Sequence, residues 1–330
     1  MYRQDPINKK WVIFAPHRAR RPKNFSEPEQ QTPEKENSGC PFCAGPDGPD
    51  RKVFQRSDRH GAWEQYVIAN KYPAVFPELE PKRARDEWGK LAIEAFGLSE
   101  VIIETHEHYS PLHKREPEQI KKLFRIYQER MIEAFKDSRV TQVIIFKNSG
   151  PKAGASQPHP HSQLYALPVV PGYIRFETDC CRHYYDDEGT CPVCDIIEHE
   201  SKSKKRVVLK NDRAIAICPF ASENPYEVHI FPKHHFTSLT IISDEYLDAL
   251  AEALFEVIRS MNKVLGEFDY NLVWDSAPKD DCDAPFFHLR LRVIPRLGTS
   301  AGLEIATQMS VNPVLPESAA EELKQALRKK

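Results

Sequence analysis

The chain has 330 residues, enough for two domains with separate cores, since domains usually run about 100 to 200 residues. Hydrophobic residues make up 40% and charged residues 28%, which excludes a disordered chain and a membrane-embedded one. The 46 basic and 48 acidic residues leave a net charge of −2, so we expect small substrates and not nucleic acid as partners.

Hydropathy points to a reducing compartment, and this decides how the cysteines are interpreted. No apolar run reaches the roughly 18 to 20 residues of a membrane span, and the first residues, MYRQDP, lack a signal-peptide core. We therefore expect a cytoplasmic protein with no membrane partner, in which cysteines are poor candidates for disulfides. Four of the eight cysteines form two Cys-x-x-Cys pairs, Cys40/Cys43 and Cys191/Cys194, and these indicate metal binding.

Strands dominate the predicted elements. Three polar segments, residues 21–38, 77–88 and 198–205, are predicted to be loops because they contain too few apolar side chains to form a core. Short runs of β-forming residues predict strands at 11–15, 66–69, 101–104, 140–146, 164–167, 207–210, 214–218, 228–231, 271–274 and 289–294. Apolar residues at helical spacing predict helices that begin at Pro117, after Ser243 and after Pro316.

The order of these features repeats. Each half contains a Cys-x-x-Cys pair, a histidine after a strand, a long helix, another strand and a second histidine. The two histidines are His108 and His159 in the first half, 51 residues apart, and His235 and His288 in the second, 53 residues apart. The sequence therefore predicts an α+β fold with two related halves, residues 1–175 and 176–330.

The repeat nominates two metal sites. Zinc takes four tetrahedral ligands from cysteine sulfur and histidine nitrogen, so we expect two zinc ions per chain. The ligands would be Cys40, Cys43, His108 and His159 at the first site and Cys191, Cys194, His235 and His288 at the second. His106 or His113 could replace His108, and His234 or His229 could replace His235. The cysteines could instead form one shared Cys₄ site or remain free thiols.

A candidate catalytic strand follows Asn148. If residues 159–163 are extended, the strand period of two places His159, His161 and Gln163 on one face. The loop before them contains Gly154 and Ser156, which can bring backbone N–H groups and a hydroxyl close to a phosphate. A neutral imidazole can attack an α-phosphorus and later leave, so His161 is the predicted nucleophile.

These residues resemble a known family. The His159-Pro-His161-Ser-Gln163 motif, its Asn148-to-Ser156 lead-in and the segment WVIFAPHRARRP resemble the galactose-1-phosphate uridylyltransferase family of the histidine triad superfamily. The resemblance implies duplicated histidine-triad-like units, each an antiparallel half-barrel sheet with packed helices, and a homodimer. It implies that His161 accepts the nucleotidyl group and Gln163 hydrogen-bonds it. It also implies substrate or phosphate contacts from Arg18, Arg21, Asn70, Asn148, Gly154 and Ser156.

The second half carries Arg290 where the first has His161, and a guanidinium stays protonated and cannot attack phosphorus. We therefore expect one active site per chain. The expected reaction is uridylyl transfer between UDP-glucose and a hexose 1-phosphate such as galactose 1-phosphate. The second Cys-x-x-Cys pair resembles plant ADP-glucose phosphorylase, which keeps adenylyl transfer to phosphate as an alternative. Hydrolysis of nucleotide conjugates and an inactive zinc scaffold are further alternatives.

Overall fold

The computed structural model of the protein describes residues 1–20, 39–48 and 50–329. The strands are β1 (Tyr2–Gln4), β2 (Trp11–Phe14), β3 (Lys52–Ser57), β4 (Trp63–Ala69), β5 (Arg83–Arg85), β6 (Leu91–Ile93), β7 (Leu98–Ile103), β8 (Gln142–Ser149), β9 (His161–Leu167), β10 (Val207–Lys210), β11 (Ala214–Ile217), β12 (Val228–Pro232), β13 (Tyr270–Asp275), β14 (Arg290–Pro295) and β15 (Ser310–Asn312). The α-helices are α1 (Pro117–Phe135), α2 (Gly172–Glu188), α3 (Pro192–Ser203), α4 (Asp244–Leu265), α5 (Gly302–Thr307) and α6 (Pro316–Arg328).

One large antiparallel sheet runs through both halves of the chain. In the described part of the protein its ten strands follow the order β10-β11-β12-β14-β13-β8-β9-β7-β4-β3, with five strands from each half. The halves meet where β8 pairs with β13, in a register that runs from Tyr270 opposite Ser149 to Trp274 opposite Ile145. This pairing places the first half's central strands directly beside those of the second.

Helices α1, α4 and α6 cover one face of this sheet. Alternate side chains of β8, such as Val143 and Ile145, join the same buried cluster as Leu123 of α1 and Leu250 of α4. The cluster also takes Leu291 and other residues of the second half, so a single core lies beneath both sets of strands. The opposite faces of β8 and β9 are left half-buried, as period-two alternation requires.

The other face differs between the halves. In the second half α3 and part of α2 pack over it, where Cys181 and Ile197 join Ile215 and Phe231 in a separate buried cluster. In the first half a smaller cluster around Phe42 lies over β4 and β7. We call this side of the sheet the open face.

Most predicted elements are confirmed. Each predicted strand overlaps an observed one, and the three predicted helices begin at Pro117, at Asp244 and at Pro316. The α+β class is confirmed by the mixture of antiparallel sheet and helices. The division after residue 175 lies within α2 and stays a prediction. Among the described residues no helix is long and apolar enough to cross a bilayer.

Two loop predictions are wrong in part. Residues 198–203 of the predicted polar connection form the last turns of α3, where Glu200 is buried against Arg206. Residues 83–85 of the predicted loop 77–88 form β5, which pairs with β6 in an exposed hairpin. Backbone hydrogen bonds form in both segments although apolar side chains are few, and in α3 the ion pair of Glu200 with Arg206 adds to them. The predicted loop 21–38 lies outside the described residues.

A buried charged network lies between α1 and the sheet. Glu104, which follows β7, accepts hydrogen bonds from Arg115 Nη1 at 2.7 Å, from Lys147 Nζ at 2.9 Å and from Ser162 Oγ. The Tyr127 hydroxyl lies 2.5 Å from Ser162 Oγ. Burial raises the pKa of the Glu104 carboxyl, but Lys147 and Arg115 outweigh burial and lower the pKa to about 2.

Glu104→Gln should lower the free energy of unfolding by about 3 to 5 kcal/mol, because the change leaves two buried cations without their carboxylate. Glu133→Gln, at an exposed ion pair with Lys136, should leave the urea midpoint unchanged. The folded-state pKa of Glu104 is depressed, so its contribution is present above about pH 4.5 and is lost as the pH falls toward 2. Urea unfolding at pH 7 and pH 3 measures both effects, and equal destabilisation by the two variants would contradict this account.

Candidate active site

His161 is the first residue of β9, a strand held on both sides by β7 and β8. Its side chain is only 6% exposed, and its Nδ1 lies 2.9 Å from the carbonyl oxygen of His159. A carbonyl only accepts hydrogen bonds, so Nδ1 carries the proton and Nε2 keeps its lone pair. Burial also lowers the pKa of His161, which favours the neutral ring. The geometry therefore prepares Nε2 as a nucleophile.

Two neighbours hold His161 in place, one at its ring and one at its backbone. The ring of Phe42, in the Cys-x-x-Cys turn, lies 5.4 Å from the His161 ring between centroids. The backbone of His161 is held from the opposite face of the sheet, where Lys147 Nζ donates to its carbonyl oxygen at 3.3 Å. Lys147 also donates to Glu104, so this lysine links the His161 backbone to the buried charged network.

The loop between β8 and β9 lies beside His161. Gly150 and Gly154 adopt positive φ angles of 86° and 87°, which favour glycine, and a short 3₁₀ turn over Pro151–Ala153 separates them. Asn148, near the end of β8, directs its Nδ2 toward the Gly154 carbonyl oxygen at 3.5 Å. Ser156 is exposed further along the same loop. Backbone and side-chain donors are thus collected where a phosphate could approach β9.

The remaining predicted contacts are spread over the structure. Gln163 is half-buried two residues after His161, opposite Phe146 of β8. Asn70 Nδ2 donates to Ser99 Oγ at 3.1 Å, and Ser99 pairs with a residue four positions along β9 from His161, about 13 Å away at 3.3 Å per residue. The structure therefore does not bring Asn70 next to His161.

The N-terminal arginines lie elsewhere or are not described. Arg18 is exposed in the turn that follows β2, outside the large sheet. Arg21 lies outside the described residues.

The first cysteine pair forms a compact group with two histidines. Cys40, Cys43, His108 and His159 present one ligand atom each, and these atoms all lie within 4.8 Å of one another. The sulfur-to-Nδ1 distances are 3.3 to 3.7 Å, close to the edge of about 3.6 Å that a tetrahedral zinc site would give. His159 Nε2 donates to the Thr105 carbonyl at 2.9 Å, which leaves Nδ1 free to bind a metal.

The second pair forms an equivalent group. Cys191, Cys194, His235 and His288 also lie within 4.8 Å, and the Cys194 sulfur is 3.4 and 3.5 Å from the two Nδ1 atoms. The Nε2 atoms of His235 and His288 face backbone carbonyl oxygens at 3.3 and 2.9 Å. Within the described residues the two cysteine pairs belong to separate groups, so a shared Cys₄ site is not formed. The groups include His108 and His235 in preference to the neighbouring histidines.

In the second half a buried arginine, Arg290, occupies the position equivalent to His161. Arg290 is 3% exposed and forms ion pairs with Asp275 at 2.6 Å and Glu177 of α2 at 2.7 Å. Arg292 pairs with the same Asp275 at 2.7 Å. Buried carboxylates therefore surround this guanidinium, and only the first half presents an available imidazole at this place in the described sheet.

Comparisons with known proteins match this architecture along the whole chain. Residues 1–171 match the family described as "Galactose-1-phosphate uridyl transferase, N-terminal domain", and residues 104–330 match a domain of unknown function, DUF4921. An ADP-glucose phosphorylase from Arabidopsis thaliana is 32% identical over 98% of this chain and 92% of the relative. A galactose-1-phosphate uridylyltransferase from Thermotoga maritima is 30% identical over 98% and 97%. The chain belongs to the galactose-1-phosphate uridylyltransferase family.

Solved structures of the family agree with this fold. The crystal structure of the Arabidopsis ADP-glucose phosphorylase with bound ADP-glucose has a TM-score of 0.84 at 30% identity and covers 98% of both chains. A structure described as uridylyltransferase has a TM-score of 0.77 at 30% identity and covers 99% of this chain and 98% of that one. As a member of this family the protein is an enzyme, a nucleotidyltransferase.

Sequence reasoning missed residues that support the family's motif. Phe42 lies between the cysteines of the first Cys-x-x-Cys pair, and its large apolar side chain was a sequence signal for burial. Lys147 and Glu104 carry charge, which normally predicts exposure. Asn271, on β13, donates through Nδ2 to Asn148 Oδ1 at 2.9 Å, and only the pairing of the two halves reveals this contact.

Proposed function

We propose that this protein transfers a nucleotidyl group from a nucleoside diphosphate sugar through a covalent intermediate on His161. The observation that carries the proposal is the hydrogen bond from His161 Nδ1 to the His159 carbonyl, which leaves Nε2 unprotonated on the open face. A buried, neutral imidazole is suited to nucleophilic attack on phosphorus.

In the first step Nε2 forms a bond to the α-phosphorus, and the bond from this phosphorus to the bridging oxygen breaks, so sugar 1-phosphate leaves. In the second step a phosphate oxygen of the acceptor attacks the same phosphorus, the N–P bond breaks and the imidazole is restored. Gln163, Asn148, Ser156 and the backbone at Gly154 would hold the phosphate oxygens. Arg18 and Arg21 would balance phosphate charge, and Asn70 would contact a more distant part of the substrate.

The nucleotide sugar that we propose first is UDP-glucose, with galactose 1-phosphate as the acceptor in galactose metabolism. The supporting observation is the match of residues 1–171 to the galactose-1-phosphate uridyl transferase family. Adenylyl transfer from ADP-glucose to inorganic phosphate is the second candidate, favoured by the TM-score of 0.84 with the plant enzyme against 0.77 with a uridylyltransferase.

Incubation with UDP-glucose or ADP-glucose labelled at the α-phosphorus, without acceptor, should give an acid-labile protein adduct with one nucleotide and not the other. The adduct should disappear in His161→Ala, because that change removes the attacking nitrogen. His229→Ala, at a buried histidine of the second half, is the matched control and should keep the adduct. An adduct of equal yield in His161→Ala would contradict the mechanism. If galactose 1-phosphate or inorganic phosphate is then added, transfer of the label to water alone would indicate a hydrolase.

We further infer that both Cys/His groups bind zinc. The ligand set of two sulfurs and two imidazole nitrogens and the sulfur-to-nitrogen distances support this metal. Zinc would tie the turn that carries Phe42 to His159, two residues before the nucleophile. In the second half the corresponding group would stabilise the fold and would not bear on a nucleophile. A homodimer remains a prediction of the family resemblance.

Elemental analysis should find two zinc ions per chain. Cys43→Ser should lose one zinc ion together with adduct formation, whereas Cys194→Ser should lose the other and lower the melting temperature while the folded fraction keeps the adduct. Cys180→Ser, at a half-buried thiol outside both groups, is the control and should keep both ions. The interpretation would be wrong if Cys43→Ser and Cys194→Ser each removed all the zinc.

A further inference from the structure

Asn271 joins the second half of the chain to the candidate phosphate loop of the first. It lies on β13 directly opposite Asn148 of β8. Its Nδ2 donates to Asn148 Oδ1 at 2.9 Å and to the carbonyl oxygen of Ala153 at 2.9 Å. The two acceptors belong to the end of β8 and to the loop that leads to Ser156, so one side chain holds both.

These two hydrogen bonds determine the orientation of the Asn148 side-chain amide. The Ala153 carbonyl can only accept, so the amide nitrogen of Asn271 must face it. The same nitrogen faces Asn148, which must therefore present its oxygen to Asn271 and its Nδ2 to the loop. Among the described residues Nδ2 meets only the Gly154 carbonyl at 3.5 Å, the outer limit of a hydrogen bond, and an N–H remains to donate to a ligand.

Asp269, which directly precedes β13, makes a second contact with the loop. Asp269 Oδ2 accepts from the backbone N–H of Lys152 at 2.6 Å. A Cβ added to Gly150 would lie 2.0 Å from Asp269 Oδ1, so the loop packs closely against the residues that begin β13. Residues 269–271 of the second half thus hold the loop at two points.

We propose that Asn271 is a positioning residue for nucleotidyl transfer, which orients the Asn148 amide so that its N–H donates to a phosphate oxygen of the substrate. The inference rests on the proposed function, since it assigns a partner to the phosphate that His161 attacks. Phosphate oxygens accept hydrogen bonds, so Asn148 contributes only while its nitrogen faces the substrate. The second half, which has no nucleophile of its own at Arg290, acts on the reaction through this contact.

Asn271→Asp inverts the contact at almost unchanged shape. The carboxylate can only accept, so the Asn148 amide turns its nitrogen toward it and presents its oxygen to the phosphate. We expect the single-turnover rate of adduct formation to fall roughly 100- to 1,000-fold, the range for a lost donor at a developing charge. Asn271→Ala removes the side chain without inverting Asn148, so its rate should fall less than that of Asn271→Asp.

The decisive test is a double-mutant cycle with Asn148→Ala, measured by rapid quench with the labelled nucleotide sugar that forms the adduct. In the Asn148→Ala background, Asn271→Asp should change the rate by less than about threefold, because its effect passes through the missing amide. Asn262→Asp, which breaks a similar side-chain bond to the Gly266 carbonyl at the end of α4, is the control and should leave the rate unchanged. Melting temperatures of all variants separate a folding defect from a rate defect.

Two results would overturn the inference while the proposed function stands. The first is an equal loss of rate from Asn271→Asp in both backgrounds. The second is a larger loss from Asn271→Ala than from Asn271→Asp, as a purely structural brace would give. If wild-type protein forms no adduct with either nucleotide, the proposed function itself fails and the inference fails with it.

Discussion

The hydrogen bond between His161 Nδ1 and the His159 carbonyl is the contact on which the chemistry depends. It assigns the ring proton to the nitrogen that faces the backbone and leaves the other nitrogen unprotonated. His159 is itself held at both ring nitrogens, by the Thr105 carbonyl on one side and the cysteine sulfurs on the other. The first Cys/His group is therefore linked to the nucleophile His161 through its own member His159.

The pairing of β8 with β13 adds a second constraint. Because it joins the two halves into one sheet, the first half's loop rests on residues that begin the second half's central strand. Duplication explains why the two halves carry similar Cys/His groups, and the ion pairs of Arg290 with Asp275 and Glu177 explain how they differ. Arg290 cannot act as a nucleophile in place of an imidazole, and the buried carboxylates neutralise its charge.

Local patterns predicted the elements that carry the site. The period of two placed His161 and Gln163 on one face, and the repeat paired each Cys-x-x-Cys turn with its two histidines. The pattern failed at α2, where the buried residues are Glu177, Thr178 and Cys181 and no apolar stripe marks the helix. The burial of Glu104 and Lys147 was equally hidden, since each charge is tolerated only because its partner comes from a distant part of the chain. The contact of Asn271 depends on strand pairing between the halves, which no local pattern encodes.

The most direct test of the central claim is the identity of the nitrogen that bonds to phosphorus. Protein labelled with ¹⁵N at histidine, loaded with the nucleotidyl group and unfolded in alkali to preserve the N–P bond, can be examined by ³¹P–¹⁵N correlated NMR. We expect a single phosphorus signal coupled to Nε2 of His161. Coupling to Nδ1, or to a histidine other than His161, would contradict it.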